Sequence, residues 1–404
     1  MVKRQIPVAK RASSIEYAIR DVVVPATKLE SEGHEILKLN IGDPIAYPGL
    51  PTPKHMVDAY VKALQDGNNG YSPSYGLPKL RAAIAQDERR KGWPARQEDI
   101  YVCHGVTEAL QIIFAATLEE DDVVLAPGPH YPPYMAYPQM YGAHTIEYKL
   151  KPNNGWKLDF DDIETKMNEN VKLLVLINPN NPCGAVVGKD DIFRLLSIAR
   201  KWPNCVIVAD EIYDGLDFTG EQRSVASLSP DVPVFVLNGV SKVYYAPGWR
   251  IGYLGIHDPK GRMQLVRDGI ERLLRSRLCA STPAQLGYLA GLDSDRSWMK
   301  SYSDKIVRQR DLCISRINAI EGLEVQSSGG AFYMFVKLTD AKWRDKDKEF
   351  VSQLLHEEYV LVVHGSGFSS DLGKGHFRIV YLPNLEILNE AFDRIERFLL
   401  RHRK

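Results

Sequence analysis

The sequence predicts an α/β protein in two parts, a large domain with a mostly parallel sheet and a smaller α+β domain. Two observations carry this. Between about residues 100 and 256, short β-branched runs alternate with helical stretches, and the runs are apolar on both faces, as parallel strands covered by helices are. After about residue 295 the rhythm changes to a long helix, short strands and a terminal helix. The expected boundaries are 1–42 for an N-terminal arm that joins the small domain, 43–295 for the large domain and 296–404 for the small one.

Taken in order, Pro44, Pro48, Pro51 and Pro53 mark a loop. Thr52-Pro53 opens a helix, with Met56, Val57, Tyr60, Val61 and Leu64 at helical spacing. Strands are expected at Ile100–Val102, Asp122–Ala126, Lys172–Ile177, Val206–Ala209, Val232–Leu237 and Ile251–Ile256. In the small domain, helices are expected at about 299–320, 347–357 and 386–400. Strands are expected at Leu323–Gln326, Ala331–Val336, near Val360–Val363 and at Phe377–Leu382.

Composition narrows the function. The 404 residues carry 51 basic and 51 acidic side chains, so no net charge draws the chain to nucleic acid or an acidic membrane. The longest apolar runs are about one strand long, far short of a membrane span. Cys103, Cys183, Cys205, Cys279 and Cys313 have no metal-ligand spacing and read as free thiols. No histidine pair suggests a metal. The basic start, Met1 to Arg11, lacks the apolar stretch of a signal peptide, and a cytoplasmic location is expected.

Chemistry is expected beyond the C-terminal ends of the parallel strands. There, Lys172–Ile177 runs into Asn178-Pro-Asn-Asn181, Val206–Ala209 into Asp210-Glu-Ile-Tyr213, and Val232–Leu237 into Asn238-Gly-Val-Ser241-Lys242. An amine, a carboxylate, a phenol and an amide at one edge suit pyridoxal 5'-phosphate (PLP). A lysine bonds the aldehyde, and a buried aspartate keeps the pyridine nitrogen protonated. The phosphate calls for backbone NH groups at a helix N-terminus and a cation.

The chain resembles the fold-type I aminotransferases of class I/II over nearly its whole length, most of all the archaeal and bacterial alanine/aspartate aminotransferases. The motifs are LNIGDP (39–44), YSPSYGLPKLR (71–81), NPNNPCG (178–184), DEIYDGL (210–216), SKVYYAPGWRIGY (241–253), GGAFYMF (329–335) and the arginine of GHFRIVYL (375–382). Their order and spacing together are specific.

The resemblance implies a role for each matching residue. Lys242 bonds the cofactor and then moves the proton between the substrate and the cofactor. Asp210 faces the ring nitrogen, and Tyr213 and Asn181 the ring oxygen. Tyr131 stacks on the ring. Gly105, Val106, Thr107, Ser241 and Arg250 cradle the phosphate, joined by Tyr71 from a neighbouring subunit, so a homodimer is implied. Arg378 and Gly42, with Asn181, receive the substrate α-carboxylate. Arg277, placed by its spacing to Pro283, is the candidate for a distal carboxylate; the other reading makes Arg272, Arg275 and Arg277 the solvated face of a basic helix. Many relatives carry a serine where this chain has Gly239, whose backbone NH is the candidate substitute. The arm near Ile15 to Tyr17 is the candidate cover over the substrate.

The implied activity is ping-pong transfer of an amino group between an L-amino acid and a 2-oxo acid, with L-alanine and 2-oxoglutarate preferred. Aspartate, a broad aromatic and branched-chain range, or β-elimination would use the same motifs. Effector-binding domains of some transcription regulators share the fold, but carry an N-terminal winged helix for which the short arm leaves no room.

Overall fold

The computed structural model describes residues 6–13, 22–326 and 328–403. The short strand β1 (Leu37–Lys38) precedes the large sheet, which holds β2 (Ile100–Cys103), β3 (Val123–Gly128), β4 (His144–Lys151), β5 (Lys157–Leu158), β6 (Val171–Ile177), β7 (Val206–Asp210), β8 (Val234–Gly239) and β9 (Gly252–His257). Their spatial order is β2-β9-β8-β7-β6-β3-β4-β5. From β8 to β4 all neighbours are parallel, while β9 and β5 run antiparallel to theirs.

The sequence explains the sheet's centre. β3, β8 and β9 are buried along their whole length, and β6 and β7 nearly so. Strands covered by helices on both faces can be apolar throughout. Each fully buried Val, Leu or Ile contributes about 1.5–3 kcal/mol. Ile177 pairs with Asp210 and Asp210 with Leu237, so β6 and β7 end level and β8 runs two residues further. This register brings the loops after Ile177, Asp210 and Gly239 to one edge.

The small sheet contains β10 (Leu323–Glu324), β11 (Tyr333–Leu338), β13 (Val363–His364) and β14 (His376–Val380), ordered β10-β11-β14-β13 and antiparallel throughout. β12 (Val360–Leu361) pairs in parallel with β1, Leu37 opposite Val360. Helix Val23–Ser31 adds Ala26 to an apolar cluster with Ile36, Leu355 and Leu361. The terminal helix, Leu385–His402, starts where the Asn384 side chain accepts the Ile387 NH, a cap of about 1 kcal/mol. It buries Leu388, Phe392, Ile395, Phe398 and Leu399 at helical spacing.

The expected strands occur with shifted ends. β8 starts at Val234 and runs to Gly239, and β11 starts at Tyr333. The arm residues Ile15 to Tyr17 lie outside the described residues.

Candidate active site

Asp210 ends β7 with 2% of its surface exposed. Its Oδ2 accepts the Tyr134 hydroxyl at 2.5 Å and its Oδ1 the Ile212 NH at 3.3 Å. Burial pushes the carboxyl up to about 6, against the pull of Tyr134, Ile212 and the nearby Lys242 amine. Three residues on, the Tyr213 hydroxyl meets that of Tyr333 at 2.9 Å. Burial, then the Tyr333 hydroxyl, hold Tyr213 protonated far above the ordinary phenol range.

Lys242 follows β8 on a tight loop. Its Nζ donates to the Gly42 carbonyl at 2.7 Å and lies 5.7 Å from the Phe332 ring centre. Burial lowers the amine to about 8; Arg378 and Arg250 push the same way, and Asp43 and Asp210 oppose. At pH 7 roughly a tenth of such amines are neutral, against fewer than ~1 in 1,000 for an ordinary lysine. Gly42 has a specific reason to be glycine, because a Cβ there would collide with the Tyr333 hydroxyl.

Helix Gly105–Thr117 supplies an N-terminus, where NH groups and the helix dipole favour an anion. Gly105, Val106 and Thr107 form its first turn. Arg250 adopts φ 53° and is exposed. Its Nη1 donates to the Pro247 carbonyl at 2.9 Å and its Nη2 to that of His104 at 3.4 Å. A Cβ on Gly105 would sit 2.5 Å from Arg250 Nη2, so glycine there lets the guanidinium reach the helix start. Ser241 is buried beside Lys242. Tyr131, partly buried, meets Tyr134 edge-on at 5.8 Å.

The Gly239 NH donates to Asn238 Oδ1 at 2.7 Å. A Cβ at 239 would come within 2.6 Å of Gly252 Cα and the Ile251 carbonyl, because β8 and β9 pair glycine against glycine here.

Arg378 stands on β14 with 1% of its surface exposed. Its Nη1 donates to Asn181 Oδ1 at 2.9 Å and its Nη2 to the Asn40 carbonyl at 2.6 Å. The guanidinium lies 4.6 Å from the Tyr333 ring centre and 4.7 Å from that of Phe368. Such stacking fixes the fork's plane.

Two candidates stand apart. Tyr71 is 83% exposed, which excludes packing in its own core. Arg277 lies beside helix Gly105–Thr117, where its Nη2 donates to the Val102 carbonyl at 2.6 Å and its Nε is 3.3 Å from Glu108 Oε1.

Sequence reasoning assigned nothing to Tyr134, Tyr333 or Asp43. Tyr134 lies three residues after Tyr131 across Pro132-Pro133, and Tyr333 lies inside GGAFYMF. Both signals were present, but the partners, Asp210 and Arg378, are distant in sequence. Among the described residues, no group of three or more His, Cys, Asp or Glu could hold a metal ion, and no helix is long and apolar enough to cross a membrane.

Residues 34–395 match the model of aminotransferase class I and II. The chain belongs to the class I and II aminotransferase family. It is 36% identical to the glutamate-pyruvate aminotransferase AlaA of Haemophilus influenzae over 99% of this chain and 100% of that protein. It is 46% identical to an alanine aminotransferase structure from Pyrococcus furiosus, with a TM-score of 0.95 over 98% of this chain and 100% of that one. An aspartate aminotransferase of Thermus thermophilus with maleate is 28% identical, with a TM-score of 0.88 over 97% and 100%.

This aminotransferase family works with PLP, and the residues present fit that group. A partly neutral amine, a buried carboxylate and a helix N-terminus faced by an exposed arginine match an aldehyde, a pyridinium and a phosphate. The cradle at Gly105, which a Cβ would fill, lies against the Arg250 guanidinium.

Proposed function

We propose that this aminotransferase moves an amino group from L-alanine to 2-oxoglutarate, giving pyruvate and L-glutamate, and runs the reverse by the same groups. The observation that carries the chemistry is the convergence of the Lys242 amine and the buried Asp210 carboxyl at one edge of the large sheet with the stacked Arg378 guanidinium, which β14 of the small sheet brings close enough to act on the Lys242 amine. The choice of alanine rests on the names of the relatives.

Gly105, Val106, Thr107, Ser241 and Arg250 would hold the phosphate of PLP, Asp210 its ring nitrogen, Tyr213 and Asn181 its ring oxygen, and Tyr131 its ring face. Bound there, PLP supplies an aldehyde that takes up the amino group and a ring that accepts electrons from the substrate α-carbon. Asp210 keeps the ring nitrogen protonated, since a cation opposite a buried carboxylate answers its charge. Lys242 moves the proton at the substrate α-carbon, a task suited to an amine whose pKa is lowered to about 8. Arg378 receives the α-carboxylate through two parallel hydrogen bonds, and Gly42 leaves the room beside it. The exposed Tyr71 supports a homodimer in which it reaches the phosphate of the neighbouring subunit. Five cysteines without a disulfide suit a cytoplasmic location.

The test is formation of pyruvate from L-alanine and 2-oxoglutarate. Lys242→Ala should lower turnover at least about a thousandfold while the protein stays folded. Turnover within tenfold of the parent would contradict the assignment.

A further inference from the structure

Tyr333 joins the two halves of the site. It opens β11 of the small sheet and is 2% exposed. On β14, Val380 stands opposite Tyr333 and Arg378 opposite Phe335, so Arg378 is the diagonal neighbour of Tyr333 on one face of the pair. The Tyr333 ring lies against the guanidinium, 4.6 Å from it. The hydroxyl at the far end of the ring leaves the small sheet and reaches the loop after β7 of the large one. There it meets the Tyr213 hydroxyl at 2.9 Å, the two rings edge-on with centres 5.6 Å apart. Gly42 makes room for this contact. A Cβ there would strike the Tyr333 hydroxyl and come within 2.9 Å of two of its ring carbons. The carbonyl of the same glycine accepts Lys242 Nζ.

Either hydroxyl can donate in this bond, and a phenol has one proton to give. The functional reading spends the Tyr213 proton on the cofactor ring oxygen. Within the pair, then, Tyr213 accepts and Tyr333 donates. A hydroxyl that accepts a hydrogen bond is a stronger donor in its own, and the second bond fixes where its proton points. Burial, then Tyr333, keep Tyr213 protonated, so the proton is there to give. Asp210 is served in a like manner by Tyr134, whose hydroxyl donates to its Oδ2. Asp210 and Tyr213 each have a phenol behind them.

We propose that Tyr333 is a positioning residue: its hydroxyl donates to Tyr213 and aims the Tyr213 proton at the ring oxygen, while its ring, stacked on Arg378, holds that hydroxyl in place. The role toward the cofactor rests on the functional reading above; the hydrogen-bonded pair does not. The ring serves Arg378 and the hydroxyl serves Tyr213, so removing the hydroxyl alone separates the two. Tyr333→Phe keeps the face that Arg378 packs on and takes the donor from Tyr213. A donor aimed at the ring oxygen favours the state of the bound cofactor that has lost its proton. A weaker donor at Tyr213 therefore moves that titration to higher pH.

The test is a cycle of four proteins: the parent, Tyr333→Phe, Tyr213→Phe and the double variant. The absorbance band of lysine-bound PLP is titrated with pH in each, and KM and turnover with L-alanine are measured for the parent and Tyr333→Phe. In the parent background Tyr333→Phe should raise the midpoint by about 0.5 pH unit and lower turnover about three- to tenfold, with KM within about twofold. In the Tyr213→Phe background it should move the midpoint by less than about 0.1 unit. Equal shifts in the two backgrounds, no shift in the parent background, or a tenfold rise in KM would overturn the positioning role. Melting of the four cofactor-free proteins decides the pair without PLP. Each single variant takes this partner from a buried hydroxyl, whereas the double variant removes both groups, so it should melt no lower than either single one. Losses that simply add would overturn the pair. A parent that shows no such band with PLP would refute the functional reading, and the melting cycle would still decide the pair.

Discussion

Asp210→Asn should stabilise the cofactor-free protein. Asp210 is buried, and its carboxyl is raised from 3.8 to about 6, with desolvation the largest cause. About two units at ~1.4 kcal/mol each make the ionised carboxylate unfavourable by about 3 kcal/mol in the folded state. The contribution of the protonated form is complete below pH 3.8 and is lost as pH rises through about 6. Asparagine is neutral and nearly isosteric; its oxygen keeps the Ile212 NH and its NH2 donates to the Tyr134 hydroxyl. Urea unfolding without cofactor should therefore show the variant more stable by about 2–3 kcal/mol at pH 8, with the gain fading toward pH 4. PLP should then reverse the order in melting temperature, because a ring cation answers the carboxylate and has nothing to answer in asparagine. A variant less stable than its parent at pH 8, or a gain that does not depend on pH, would refute the reasoning.

Arg378→Lys keeps the charge but loses the planar fork, and should raise the KM for alanine by about 30-fold, roughly 2 kcal/mol; the PLP absorbance band should persist. An unchanged KM in steady-state kinetics would remove Arg378 from the carboxylate site. Arg277→Ala strips Glu108 of its ion-pair partner, leaving it the His104 NH, and should reduce stability by about 1–3 kcal/mol, with the KM for glutamate and aspartate within about twofold. A tenfold rise for either would support the distal-carboxylate role.

The sequence made the sheet's centre legible because those strands are buried on both faces and read as unbroken apolar runs. β4 was not read: His144–Lys151 alternates polar and apolar and lies one strand from the sheet edge, with only part of one face buried. Lys242, Asp210 and Arg250 could be placed because each follows or borders a strand end in a motif. Their partners could not be. Tyr134 reaches Asp210 across 76 residues, and Arg378 reaches Asn40 across 338. Spacing to Pro283 likewise says nothing of the contact between Arg277 and Glu108. Glu88 and Lys91 carry no assigned role in the sequence, and only the fold sets Lys91 against Asp214 of the DEIYD loop.

The central claim is most directly tested by the absorbance spectrum of PLP-loaded protein before and after L-alanine alone, with L-aspartate in parallel. The account predicts that alanine removes the band of lysine-bound cofactor and yields one pyruvate per site without ammonia. An unchanged band with alanine would contradict it, as would ammonia released with the pyruvate.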